Sequence, residues 1–88
     1  RVVLVDFYAE WCGPCHSLSP ILLKLETERP KLDVLTVDIE NEEKGGFGLS
    51  QIALPTVIAY RSGEPIGQFV GALNEGGVKK FLDGLDKP

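Results

Sequence analysis

The stretch Val5-Asp6-Phe7-Tyr8-Ala9-Glu10-Trp11-Cys12-Gly13-Pro14-Cys15 decides the reading of this chain. It closes an apolar run that starts at Val2 and is interrupted by Asp6. A run of this kind, without polar alternation, suits a central strand covered on both faces. From Cys15 the period changes. Leu18, Leu22 and Leu25, with Ile21 beside them, fall on one helical face, and Pro30 closes the segment. Pro20 lies inside it, where a proline removes a hydrogen bond and bends the helix. The spacing predicts one kinked helix over residues 13–29. The two cysteines therefore stand between the end of a strand and the start of a helix.

Further along, Leu35, Val37 and Ile39 alternate with Thr36 and Asp38, the pattern of a second strand. The segment from Glu42 to Ile52 stands where a helix is expected. Gly45, Gly46 and Gly48 would each cost it about 1 kcal/mol against Ala, so a short or distorted helix is predicted. Thr56–Tyr60 reads as a third strand, Ser62-Gly63 as a turn and Gln68–Val70 as a fourth strand. Asn74 is a fair N-cap. Val78, Phe81, Leu82 and Leu85 then follow the spacing of an amphipathic helix. The order β-α-β-α-β-β-α predicts an α/β fold, with a central mixed four-stranded sheet flanked by helices. The first two strands are parallel through a right-handed crossover and the last two form a hairpin.

With 88 residues the chain makes one domain, residues 1–88, and has no length for a second. No apolar run reaches membrane-spanning length, so no membrane association is expected. The opening Arg-Val-Val-Leu-Val is too short for a signal peptide and reads as a strand. A net charge of −4 with scattered Lys and Arg argues against a nucleic-acid surface. The absence of Met, even at position 1, points to a processed protein, an excised domain or a trimmed chain.

Two cysteines cannot staple a secreted scaffold, whereas Cys-x-x-Cys inside a β-α-β pattern reads as a redox pair. A helix N-terminus carries partial positive charge and unpaired N–H groups, and both stabilise a thiolate, the attacking species in disulfide exchange. Two intervening residues in a first helical turn bring the sulfurs within bridging reach. Pro14 suits an early helical position, where its missing N–H is not needed. Cys12, at the loop edge, is expected to be the more exposed and more acidic thiol and to attack the substrate. Cys15, one turn in, resolves the mixed disulfide and needs a base nearby. Burial as small hydrophobes explains one cysteine better than two at this spacing. Structural zinc wants four ligands and only His16 could join the pair, so no metal is expected.

Residues 5–15 closely resemble the active-site segment of thioredoxins. Pro20-Ile21-Leu22, Leu54-Pro55-Thr56 and Phe69-Val70-Gly71-Ala72 resemble the other landmarks of that family, in order and spacing, over essentially the whole chain. The resemblance implies a thioredoxin-like fold and a protein-disulfide reductase without bound cofactor. It also implies disulfide-containing proteins as substrates and a thioredoxin reductase as electron donor. By the same resemblance Pro55 follows a cis peptide bond and faces the sulfurs, and the Leu54 backbone pairs with an extended substrate segment. Trp11 corresponds to a family tryptophan that packs against the active site, although core filling alone would also account for it. Gly13, Pro14, Ala53, Leu54, Val70, Gly71 and Ala72 map to a flat apolar surface around the sulfurs, and Gly71 permits close backbone approach. Asp6 shares a strand face with Val2 and Leu4. Burial there should raise its pKa and make it a proton acceptor beneath Cys15.

The chain also departs from the family pattern. Family members usually begin with a further strand and helix ahead of the segment matching Val2. In the family that strand covers the edge of the strand matching Leu35–Ile39. A monomer is expected; were Arg1 the true start, the uncovered edge would allow a dimer. Thr36 stands where many thioredoxins carry a Lys near the buried Asp, which should leave the Asp6 pKa higher. His16 stands where Lys is common, either as pH-dependent charge near the thiols or as an exposed polar residue. Gln51 replaces a typical aliphatic. Gly-Pro between the cysteines favours a reductant, since a His there would make the pair more oxidising. The rivals are an oxidase or isomerase domain of a secretory protein, and a redox-inert binding module or adaptor. A reductase belongs in a reducing compartment, the cytoplasm or alternatively the mitochondrial matrix.

Overall fold

Strand β1 (Val2–Tyr8) lies inside a four-stranded sheet because its apolar run leaves few polar positions to face water. The structure, a computed structural model, describes residues 1–40 and 53–85. The remaining elements are α1 (Gly13–Glu28), β2 (Leu32–Asp38), β3 (Thr56–Arg61), β4 (Glu64–Val70) and α2 (Glu75–Leu85). The helix predicted between Glu42 and Ile52, with its glycines and Gln51, lies outside the described residues. The strand order is β2-β1-β3-β4. β1 runs parallel to β2 and antiparallel to β3, and β3–β4 is an antiparallel hairpin. This is the predicted mixed sheet.

The two faces of β1 differ. Leu4 and Asp6 are fully buried, whereas Val3, Val5 and Phe7 are half-buried. The buried face looks onto both helices. Leu18, Leu22 and Leu25 of α1 and Val78 and Leu82 of α2 form one cluster with Leu4, Leu32, Val57 and Ala59. The helical spacing of those leucines is what lets α1 cover three strands at once. The helix runs on through Pro20, which is exposed.

The second strand corrects the sequence reading. It begins at Leu32, three residues earlier than the pattern suggested, and ends at Asp38. Leu35, the first aliphatic residue of the alternating pattern, is 57% exposed. The register pairs Leu32, Val34 and Thr36 with Val2, Leu4 and Asp6, so those residues share the helix-covered face. The alternation of Leu35 and Val37 marks the other face of an edge strand. On the side of β2 away from β1, the Val34 N–H donates to the Glu26 carboxylate (2.8 Å), so a charged side chain covers part of that edge.

The fourth strand is also longer than predicted, Glu64–Val70, and carries Pro65. Its edge position tolerates a residue that cannot donate to a ladder. Ser62 (φ 53°) and Gly63 (φ 80°) are the two central residues of the hairpin turn. Positive φ at both is the geometry that matches the twist of the flanking strands. Asn74 caps α2 as expected, its Oδ1 accepting from Gly77 N–H at 2.8 Å. Phe81 of α2 meets Phe69 of β4 edge to face at 5.0 Å.

Leu22→Ala should cost about 2–5 kcal/mol in urea unfolding, because the site is completely buried among rigid neighbours. Leu23→Ala, one residue on and 49% exposed, should stay within about 0.5 kcal/mol.

Candidate active site

β1 ends at Tyr8, and four residues turn the chain into α1. Cys12 N–H donates to the Ala9 carbonyl (3.0 Å), closing a tight turn through Glu10 and Trp11. Cys12 is extended (φ −86°, ψ 105°) and is the N-cap of α1, its Sγ accepting from Cys15 N–H at 3.3 Å. The sulfur thus takes the place of the capping oxygen that Ser or Asp usually supplies. It satisfies an N–H group that a helix start otherwise leaves unpaired. Pro14 lies in the first turn, where it withholds no needed donor. Cys12 and Cys15 form a disulfide with Cα atoms 5.4 Å apart, inside the usual range.

Both cysteines are buried, Cys12 at 5% exposure and Cys15 at 1%. Ala9, Tyr8, Ile39 and Leu54 pack around the bridged pair. The order of accessibility is as expected, but the contrast is small in the disulfide form. Trp11 is 67% exposed, so it does not fill the core.

The Leu54–Pro55 peptide bond is cis. Leu54 touches the cysteine cluster and Pro55 is fully buried. The Pro55 carbonyl accepts from Gly71 N–H (2.9 Å), which fastens the segment after β4 to the one before β3. Gly71 has φ +103°, a backbone conformation that side chains rarely adopt, so glycine is required there by its dihedral, while a Cβ would meet nothing within 4 Å. Around the pair, Trp11, Gly13, Pro14, Ala53, Val70 and Ala72 are exposed, and Leu54 and Gly71 are partly so. These are the residues expected to form an apolar surface, and each of them reaches solvent. They come from three separate segments. A cavity of about 310 Å³ lies at the other end of the sheet, lined by Val2, Arg29, Lys31, Leu32, Leu82 and Leu85, away from the cysteines.

Asp6 has no exposure at all. Ser19 Oγ donates to its Oδ2 at 3.0 Å, while Oδ1 is buried and has no hydrogen-bond partner among the described residues. Burial pushes the carboxyl above the ordinary value for Asp, and the Ser19 hydrogen bond opposes that in part. In register, Asp6 stands between Thr36 and Val57, so its cross-strand neighbours bring no cation. Ser19 follows Cys15 by four residues and so shares its helix face. The carboxyl therefore lies under the face of α1 that carries the second cysteine. Sequence reading missed Ser19. Its signal was present, a hydroxyl four residues from Cys15 on the inner side of an otherwise apolar helix.

The sequence profile of the Thioredoxin family matches residues 1–84. Thioredoxin of Chlamydia trachomatis serovar D is 36% identical over 81 residues, spanning 92% of this chain and 79% of that protein. Thioredoxin of Mycobacterium tuberculosis is 35% identical over 83 residues, spanning 93% of this chain and 72% of that protein. Among solved structures, Fasciola hepatica thioredoxin superimposes with a TM-score of 0.83 at 31% identity, over 98% of this chain and 82% of that one. Fold, cysteine geometry and sequence agree, and the chain belongs to the thioredoxin family of thiol–disulfide oxidoreductases.

Proposed function

We propose that the chain is a protein-disulfide reductase in which Cys12 attacks and Cys15 resolves. The observation that carries this reading is the place of Cys12 as the N-cap of α1, its sulfur accepting a helix N–H. In the dithiol form the same N–H and the positive helix end favour the thiolate. The Cys12 thiolate attacks one sulfur of a substrate disulfide, forms a mixed disulfide and expels the other sulfur as a thiolate. Cys15 loses its proton and attacks Cys12 Sγ. The Cys12–Cys15 disulfide forms, the second substrate thiolate leaves, and two electrons have passed to the substrate. A dithiol donor, by family a thioredoxin reductase, returns the pair to its reduced state.

Asp6 is the proposed proton acceptor for Cys15, through an intervening water. Its Oδ2 is engaged by Ser19, which leaves Oδ1 to accept. A carboxyl raised above its ordinary pKa is a stronger base once ionised, which suits a thiol that must be deprotonated near neutral pH. The surface of Trp11, Gly13, Pro14, Leu54, Val70, Gly71 and Ala72, with the fully buried Pro55 behind it and not on it, is the proposed docking site for extended segments of substrate proteins. Such chemistry fits a reducing compartment, cytoplasm or mitochondrial matrix.

Insulin-disulfide reduction with dithiothreitol as donor should be rapid for the wild type and lost in Cys12→Ser. Cys15→Ser, reduced and then mixed with insulin in the absence of dithiothreitol, should instead accumulate a covalent complex that added dithiothreitol breaks. No turnover from folded wild type would sink the reductase reading and move the binding-module reading to the front.

Asp6 links stability to pH with a definite sign. Its folded pKa is raised, so the native state binds the proton more tightly than the unfolded chain. The stability contribution is greatest below the unfolded value, about 3.9, and is lost as pH rises through the folded value. Asp6→Asn should therefore show a higher urea midpoint than wild type at neutral pH, with the difference narrowing towards about pH 4. The same variant should slow insulin reduction most at neutral pH. Identical rate–pH profiles for the two proteins would remove Asp6 from the mechanism.

A further inference from the structure

His16 stands in the first turn of α1 directly after Cys15 and is exposed. Its Nε2 lies 2.7 Å from the carbonyl oxygen of Glu10. A carbonyl oxygen only accepts, so Nε2 carries the proton in this contact, whether the ring is neutral or an imidazolium. Glu10 and Trp11 are the two central residues of the turn that Cys12 N–H closes onto Ala9. The central peptide of such a turn takes no part in the closing hydrogen bond, and its flip is what separates type I from type II geometry. The Glu10 carbonyl belongs to that peptide. Its hydrogen bond to His16 therefore fixes the orientation of the peptide and the direction in which Trp11 leaves the turn.

We propose that His16 is a positioning residue for the dithiol reaction, a proposal that rests on the reductase reading above. Its imidazole ties the Ala9–Cys12 turn to α1, and so holds Trp11 and Cys12 in register with Cys15 while the disulfide is open. In the oxidised protein the Cys12–Cys15 bond itself joins turn and helix. Reduction removes that link. Among the described residues two hydrogen bonds that involve side chains then span the junction beside the backbone bonds of α1, Cys15 N–H to Cys12 Sγ and His16 Nε2 to the Glu10 carbonyl. The first ends on the sulfur that attacks the substrate, so it weakens once the thiolate is consumed in a mixed disulfide. The second touches neither sulfur and is compatible with every step of the cycle. It acts on both partners of the exchange, because the turn it holds bears the attacking cysteine and the exposed Trp11 of the docking surface.

Trp11 is the only tryptophan in the chain, so its emission reports on the turn directly. The experiment compares wild type, His16→Ala and His16→Gln, each in oxidised and reduced form. Glutamine keeps an N–H donor at similar reach without an ionising ring. Reduced His16→Ala should show lower Trp11 anisotropy than reduced wild type, the oxidised proteins should differ less, and His16→Gln should restore the reduced value. The second measurement is the equilibrium of protein dithiol and glutathione disulfide with protein disulfide and two molecules of glutathione. Loss of a bond that matters most in the dithiol form should move it towards the protein disulfide in His16→Ala. A shift of about three- to tenfold is expected for one net hydrogen bond. The upper figure corresponds to a potential about 30 mV lower. Again His16→Gln should restore wild-type behaviour. Equal anisotropy in all reduced proteins would overturn the proposal. So would Ala and Gln variants that shift alike, since the effect would then come from the ring and not from the tether. Neither readout uses a protein substrate. A wild type that fails to reduce insulin counts against the reductase reading, whereas one that reduces insulin while the Trp11 signals stay equal counts against the tether alone.

Discussion

The start of α1 is where the chemistry and the fold share one set of atoms. Cys12 must cap a helix and also leave the cap to attack a substrate. Its sulfur is a poorer acceptor than a Ser or Asp oxygen, so a capping role alone would favour another residue. The rest of the structure holds that helix end in place. β1 delivers the chain to the turn, and the leucines of α1 lock the helix to the sheet over three further turns. The Leu54–Pro55 segment closes on the pair from the side. A helix fixed so firmly along its length can keep its first turn in position when a bond there opens and closes.

Asp6 shows the opposite balance. A fully buried carboxyl with one oxygen unpartnered, in a core otherwise built from Leu, Val and Ala, lowers stability and contributes no packing that a hydrophobe could not provide. Its neighbours do not relieve it. Thr36 and Val57 flank it across the sheet, and the single hydrogen bond it receives comes from a neutral hydroxyl. A residue that breaks the logic of the core in this way is expected at a functional position. Thr36 adds to the effect, because a cation there would have drawn the carboxyl back towards its ordinary pKa.

What could be read in the sequence follows from how local each signal is. The strand–turn–helix of residues 2–28 was legible because a change of hydrophobic period and a Cys-x-x-Cys coincide within a few residues. The Ser62-Gly63 turn and the Asn74 cap were legible because each depends on the residue that adopts it. The second strand was misjudged in its start. Its inward side is set by pairing with β1, and Leu32 and Val34 acquire that meaning only once Val2 and Leu4 are beside them. Glu64 and Pro65 lay outside the strand predicted at Gln68–Val70 and are the start of an edge strand, where the usual penalty on proline does not apply. Ser19, the tie between His16 and Glu10, and the tie between Gly71 and Pro55 are contacts between segments. No periodicity announces them. The packing of the cysteine cluster is of the same kind, since Tyr8, Ile39 and Leu54 reach it from three different parts of the chain.

The docking surface has the same composite character, and that bears on how the exchange can turn over. Trp11, Leu54 and Val70 come from three segments; the Gly71–Pro55 backbone hydrogen bond joins two of them, and the Cys12–Ala9 bond closes the turn that carries Trp11. As proposed, such a surface is apolar and carried by several short segments. It can offer modest contact area to many extended segments. Area alone converts poorly into affinity once the freedom lost on association is counted. For an enzyme whose intermediate is itself a covalent bond to the substrate, that weakness is useful. The mixed disulfide holds the partner while it is needed. When Cys15 breaks that bond, little else remains to delay release of the product.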